Sequence, residues 1–364
     1  MRGDIIAHWK AWLLTQIQGL RRSQAKTLLD LVIGLIRAER LGVASIGRGM
    51  SGPVAPKHRI KRVDRFLGNP RLNREAAAQD AIRFIVMGRR WVPVILDWTD
   101  CHDGHQTLVA ALVSRQGRAV PVFTQTVAKA DLTLRQGAIE RRFIQRLRPL
   151  FPPTCTPVLL ADRGFCSASF LAAAHAAGWK WIIRLKGDRW IETPDYHGRL
   201  DEYATTRTRW GDWPAIRIGK AARQVWRLVA TWAEGQQEPW FLVTNCGHLT
   251  ADQIIRAYAR RFQIEELFKD SKNGERGGFR LRGVRLTRAD RWDRLWLIFT
   301  WAYVWLVLLW LWAEATGIAR RFQANTVRQR THACWKVGRY VWTDELPPPN
   351  VVQPYHPLLL LWDP

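Results

Sequence analysis

YARRFQIEELFKDSK, residues 258–272, decides how this chain is read. It holds no Pro or Gly, and its Glu, Leu, Lys and Arg favour a helix. At about 100° per residue, Tyr258, Arg261, Glu265 and Lys272 fall at about 0°, −60°, −20° and −40°, one stripe roughly 60° wide and about 21 Å long. Glu266 points about 100° away from Glu265, so the two acids take different roles. Ile264, Leu267 and Phe268 lie on another flank, suited to anchoring the helix to a core. A carboxylate held between a guanidinium, a phenol and an ammonium suits a metal-bound phosphate, whose charge needs both metal and cations. Without regard to spacing, the same segment is an ordinary amphipathic helix with i, i+4 charge pairs.

The spacing Tyr-x2-Arg-x3-Glu-x6-Lys resembles the signature of bacterial insertion-sequence DDE transposases of family four, with all four positions filled. That resemblance implies two upstream Asp residues, each ending an apolar strand. Asp97 in LDWTD and Asp162 in ADRGF meet the requirement. Alone, an acid after an apolar strand often only starts a turn. The resemblance spans roughly residues 90–310 and is most specific from 258 to 272.

It implies a ribonuclease H-like α/β core whose first and fourth strands lie side by side, bringing the two Asp carboxylates together. Asp97, Asp162 and Glu265 are then the catalytic metal ligands. Arg261 and Lys272 hold phosphates, and Tyr258 bonds a phosphate oxygen or packs on the DNA backbone. Arg163 is either a phosphate contact or a surface charge. Three clustered carboxylates with little local positive charge repel one another, and a hard divalent ion resolves that. Oxygen-only ligands select Mg²⁺ or Mn²⁺ over zinc, as two ions about 3.5–4 Å apart. The implied activity is cleavage at the element's ends and strand transfer into target DNA. The implied assembly is a homodimer on two terminal inverted repeats.

Composition sets bounds. At 364 residues the chain can bury a sizeable core in two or three structural units. Lys plus Arg outnumber Asp plus Glu by 56 to 31, a formal charge of +25 that favours a nucleic-acid partner over an anionic membrane surface. The five cysteines form no CxxC pair and are odd in number, which fits a reducing cytoplasm and speaks against a zinc site or disulfide framework. The N-terminus has no apolar signal-peptide run, and a cytoplasmic, nucleoid-associated bacterial protein is expected. Leu295–Ala313 is long and apolar enough to span a bilayer. Its tryptophans run through the middle instead of clustering at the ends, so a buried core helix is the expectation.

Residues 1–88 read as a small, basic, helical DNA-binding domain, with Asn73 capping a helix to Met87. PKHRIKRVDRFLGNPRL (56–72) suits phosphate-backbone contact or is a solvated basic surface. Gly47–Gly52 matches GxGxxG but lacks a preceding strand, and reads as a loop. Residues 89–320 form the catalytic domain. Strands are expected at 92–96, 107–113, 118–127, 157–161 and 180–185, with helices at 134–147 and 167–177. A β-rich insertion spans about 186–238, with a strand-like patch at 224–232. In relatives an aromatic near such an insertion stacks a displaced base, and Trp232 and Trp240 are the candidates. Asp100, His102, Asp103 and His105 look like a metal cluster, but the Asp103-Gly104 turn explains their polarity better. Residues 321–364 are a basic, Pro-rich tail without an assigned role.

Two rival functions stand beside the transposase: an inactive, transposase-derived DNA-binding repressor, and a ribonuclease H-like nuclease without strand transfer. The insertion before Glu265, and the Arg and Lys on its helix, favour the transposase.

Overall fold

The computed structural model describes residues 2–102, 104–207, 210–219, 225–232, 237–274, 277–326 and 330–360. Five helices precede the first strand: α1 (Arg2–Gln16), α2 (Arg22–Ala38), α3 (Val43–Gly49), α4 (Pro56–Leu67) and α5 (Arg74–Val86). Pro56 pre-sets the first turn of α4, where its missing N–H costs nothing. Asn73 caps α5 by accepting from Ala76 N at 3.0 Å. The Gly47–Gly52 run differs from the expected loop, because its first half closes α3. There Gly49 meets α2 so closely that a Cβ would stand 2.1 Å from the Gly34 carbonyl oxygen. Gly47 and Gly49 serve helix packing, against α4 and α2.

The core follows in the expected order: β1 (Trp91–Asp100), β2 (His105–Leu112), β3 (Val120–Ala128), α6 (Leu132–Leu147), β4 (Thr156–Ala161), α7 (Ala168–Ala176) and β5 (Lys180–Leu185). Asp103 lies outside the described residues. Gly104 beside it has φ +69°, the left-handed conformation a tight turn requires. β1 pairs antiparallel with β2 and parallel with β4, and β4 pairs parallel with β5. Val92, Val94, Ile95 and Leu96 are fully buried, as a strand covered on both faces must be.

The insertion carries β6 (Trp190–Thr193), β7 (Tyr196–Arg199), α8 (Leu200–Arg207), β8 (Trp210–Ile218) and β9 (Val225–Thr231) before β10 (Trp240–Thr244). The patch expected at 224–232 is β9, while Gln224 itself lies outside the described residues. β10 pairs antiparallel with β5, so the insertion prolongs the core sheet in the order β3-β2-β1-β4-β5-β10-β9-β8-β6-β7.

α9 (Ala251–Ala259) and α10 (Gln263–Lys272) lead to α11 (Ala289–Ala315), then α12 (Cys334–Asp344) and α13 (Pro349–Val352). The most apolar 18-residue window of α11 has mean hydropathy 1.9 and is wholly buried inside the protein. Helices α2, α4, α5 and α12 and strand β3 surround it. Asp293 fixes its register: one carboxylate oxygen accepts from Thr126 N and Oγ1, both at 2.8 Å, and from Thr124 Oγ1 at 3.1 Å. Arg74 of α5 pairs with the other oxygen. Burial lifts this carboxyl to about 6 against the pull of Arg74.

The segment read as a tail contributes α12, whose Trp335 and Trp342 are buried. Gly338 lets α12 cross α11, since a Cβ there would lie 1.8 Å from the Leu306 carbonyl oxygen. Gly338→Ala therefore forces the helices apart and is expected to cost about 1–3 kcal/mol or more. Thermal unfolding should show a fall of several degrees relative to Gly3→Ala, where a Cβ meets nothing within 4 Å.

Candidate active site

The register of β1 against β4 sets Leu96 opposite Ala161, and Asp97 and Asp162 come next along each chain. Both carboxylates therefore reach the same edge of the sheet. Asp97 accepts from Trp98 N at 2.8 Å, and Asp162 accepts from Gly164 N at 2.8 Å in a tight turn. Burial lifts the Asp97 carboxyl to about 6, helped by the negative charges of Asp162 and Glu265 and opposed by Arg261. Asp162 and Glu265 are thus close enough to Asp97 for their charges to oppose its ionisation.

The expected single helix from Tyr258 to Lys272 is instead broken. Arg260–Phe262 form a 3-10 turn between α9 and α10, so the four signature residues share no single helical stripe. Tertiary contacts fix the chain immediately after the break. Gln263, buried at the start of α10, donates from Nε2 to Ser114 O at 3.0 Å and accepts from Ser114 N at 3.0 Å. Ala119 N donates to the Gln263 carbonyl at 3.2 Å. α10 thereby starts against the β2–β3 turn. Further along, Asp270 accepts from Arg118 Nε and Tyr303 Oη, both at 2.8 Å. Ile264 and Leu267 are fully buried, and Phe268 packs at the core's margin, as anticipated.

The signature residues still gather around the same sheet edge. Arg261, 8 % exposed, lies 3.6 Å from Asp97 Oδ2 and 3.3 Å from Glu265 Oε1. The expectation of little local positive charge is therefore corrected: a guanidinium stands between two of the carboxylates. Burial lowers the Lys272 ammonium pKa, while the charges of Asp100 and Asp97 pull it back up. Tyr258 is buried against Trp240, at 5.1 Å between rings, and burial pushes its phenol up to about 12. Glu266 faces elsewhere, to Arg118 at 3.3 Å and Lys269 at 2.6 Å.

Arg163 pairs with Glu238 at 2.8 Å. Trp240 also stacks on the exposed Phe262 at 5.8 Å, whereas Trp232 is itself 45 % exposed. Of the described members of the Asp100–His105 group, Asp100 pairs with Lys129 at 2.9 Å and His105 is buried. Among the described residues no three His, Cys, Asp or Glu side chains converge tightly enough to hold a metal ion. Glu265 is turned to Arg261 and is 48 % exposed at its side chain, leaving room to rotate.

A family model described as a transposase DDE domain matches residues 114–305, more than half of the chain. The chain belongs to the transposase DDE family. No curated protein matches it. The matched span holds Asp162 and Glu265 but begins after β1, and the β1–β4 register is what sets Asp97 beside Asp162. Sequence reasoning missed Gln263, Arg118 and Asp270, which hold the Glu265 helix. Gln263 meets Ser114 and Asp270 meets Arg118, each across about 150 residues of sequence, and Asp270 also meets Tyr303 on α11, so local spacing carries no trace of them.

The raised Asp97 carboxyl fixes a pH dependence. Its folded-state pKa of about 6 lies above the ordinary 3.8, so stability is lost as pH rises from about 4 through 6. Asp97→Asn in EDTA should raise the melting temperature by about 2–5 °C at pH 7.5 and change it little at pH 4.5.

Proposed function

We propose that this transposase cuts DNA at the ends of an insertion sequence and joins the freed 3′-ends to target DNA. We also propose that it falls in insertion-sequence family four, on its Tyr258, Arg261, Glu265 and Lys272 spacing. The observation that carries the reading is the parallel register of β1 and β4. It sets Asp97 and Asp162 on one sheet edge, with Glu265 reaching it from across Arg261.

The donor set is all oxygen and mutually repulsive, which fits a hard divalent cation, and family members generally use such ions. Asp97, Asp162 and Glu265 would hold Mg²⁺ or Mn²⁺, as two ions, which supply an activated attacking oxygen and a stabilised leaving 3′-oxygen. The chain's own residues position the DNA. Arg261, anchored beside Asp97, presents a planar fork to a phosphate oxygen. Lys272 supplies a second cation, and Tyr258 stiffens the wall on which Arg261 rests. A phosphate arriving at Arg261 competes with Glu265 for the guanidinium and so frees that carboxylate to turn toward Asp97 and Asp162.

The same proposal assigns DNA contact to the basic helices of residues 1–88, α4 foremost, and the chemistry to residues 89–320. It also includes a homodimer that brings two terminal inverted repeats together, acting in the bacterial cytoplasm at the nucleoid. The test is cleavage of a supercoiled plasmid carrying the flanking terminal repeats, with Mg²⁺. Glu265→Ala should abolish excision, by about a thousandfold or more, since it removes one carboxylate of the triad. Lys272→Met should lose about ten- to a hundredfold, the worth of one charge-assisted contact. Specific binding without cutting by the parent chain would replace this reading with the repressor. Cutting without joining would leave a nuclease.

A further inference from the structure

Arg163 and Arg184 share one carboxylate. Arg163 follows Asp162 directly, and Arg184 lies on β5, the next strand of the sheet. Glu238, in the connection before β10, accepts from Arg163 Nη1 at 2.8 Å and from Arg184 Nη2 at 3.0 Å. Pro239 O takes a further bond from Arg184 at 3.2 Å, so that guanidinium, 17 % exposed at its side chain, is fixed in place. Glu238 itself is 51 % exposed, with solvent beside it to turn into. The three side chains line a cavity of about 330 Å³, together with exposed Lys186. Asp188 and Asp201 also line it, and both act on Arg199, with Asp201 2.6 Å from that guanidinium. Glu238 pairs with both Arg163 and Arg184.

Two guanidiniums converging on one exposed carboxylate, at the mouth of a cavity beside a catalytic Asp, form a ready anion site with its anion supplied by the chain. We infer that Glu238 is an internal stand-in for a DNA backbone phosphate: it holds Arg163 and Arg184 in the free protein and yields them to a phosphate when DNA binds. The inference rests on the transposase reading and deepens it. The exposed carboxylate gains little from its ion pairs in water. A phosphodiester offers two acceptor oxygens to the same forks and sheds its condensed counterions on binding. The bound strand would then run from the Arg261 edge past Asp162 into this cavity. Meanwhile Glu238 keeps the two arginines extended and discourages chance anions.

The experiment measures binding of the full chain to a fluorescent duplex carrying one terminal repeat, in EDTA, across a salt series. Three variants are compared: Glu238→Gln, Glu192→Gln and the double variant Glu238→Gln with Arg184→Gln. Glu192 is the charge-matched control, similarly exposed and paired with Arg217 at 2.8 Å. Glu238→Gln should bind about three- to tenfold tighter at low salt, with a salt slope steeper by up to about one ion. Glu192→Gln should not, and the double variant should lose the gain. Equal tightening by Glu238→Gln and Glu192→Gln would overturn the phosphate site while leaving the transposase reading intact. A parent chain that binds no duplex at low salt would overturn that reading, and the site with it.

Discussion

A single buried helix holds this molecule together. α11 is apolar on every side, and a helix of that kind is stable in a water-soluble fold only when it is enclosed. The N-terminal helices, strand β3 and α12 enclose it. Asp293 resolves the ambiguity that a uniformly apolar helix leaves about its rotation and depth. A buried carboxylate with three hydroxyl or amide donors and one guanidinium has one tolerable position. Once α11 is fixed, Tyr303 on it fixes Asp270, and with Asp270 the far end of α10.

The candidate site inherits its precision from that scaffold. Glu265 is exposed and lightly held, but its helix is clamped at both ends, by Gln263 on Ser114 and by Asp270 on Arg118 and Tyr303. Asp97 and Asp162 are placed by ladder hydrogen bonds between β1 and β4, which tolerate no slip without turning every side chain to the other face. Arg261 then tempers the repulsion among carboxylates that burial has made costly. Rigid backbone holds the repelling acids and the one intervening cation in place.

Much of this was legible in the residues. The apolar run ending at Asp97, the second run ending at Asp162 and the Tyr-Arg-Glu-Lys spacing mark the site, because strand and helix periods are local properties. The cap at Asn73 was legible for the same reason. What misled was continuity. Residues 258–272 satisfy every local condition for one helix, yet the chain passes through a 3-10 turn at Arg260–Phe262, next to the contacts that Ser114 and Ala119 make with Gln263. The glycines at 47 and 49 looked like a loop because helix packing, unlike helix propensity, leaves no periodic mark.

The sequence by itself determined the order of the core elements, the three candidate acids and the basic character of the chain. Each depends only on residue type and on neighbours a few positions away. The tertiary structure decided which charges meet: Arg261 with Asp97 and Glu265, Arg118 with Asp270, and Glu238 with Arg163 and Arg184. It also decided that the insertion prolongs the core sheet and that the apolar helix lies inside the protein. Most of these are encounters between residues far apart in the chain, and ion pairing and burial depend on distance in space, which spacing along the sequence does not encode.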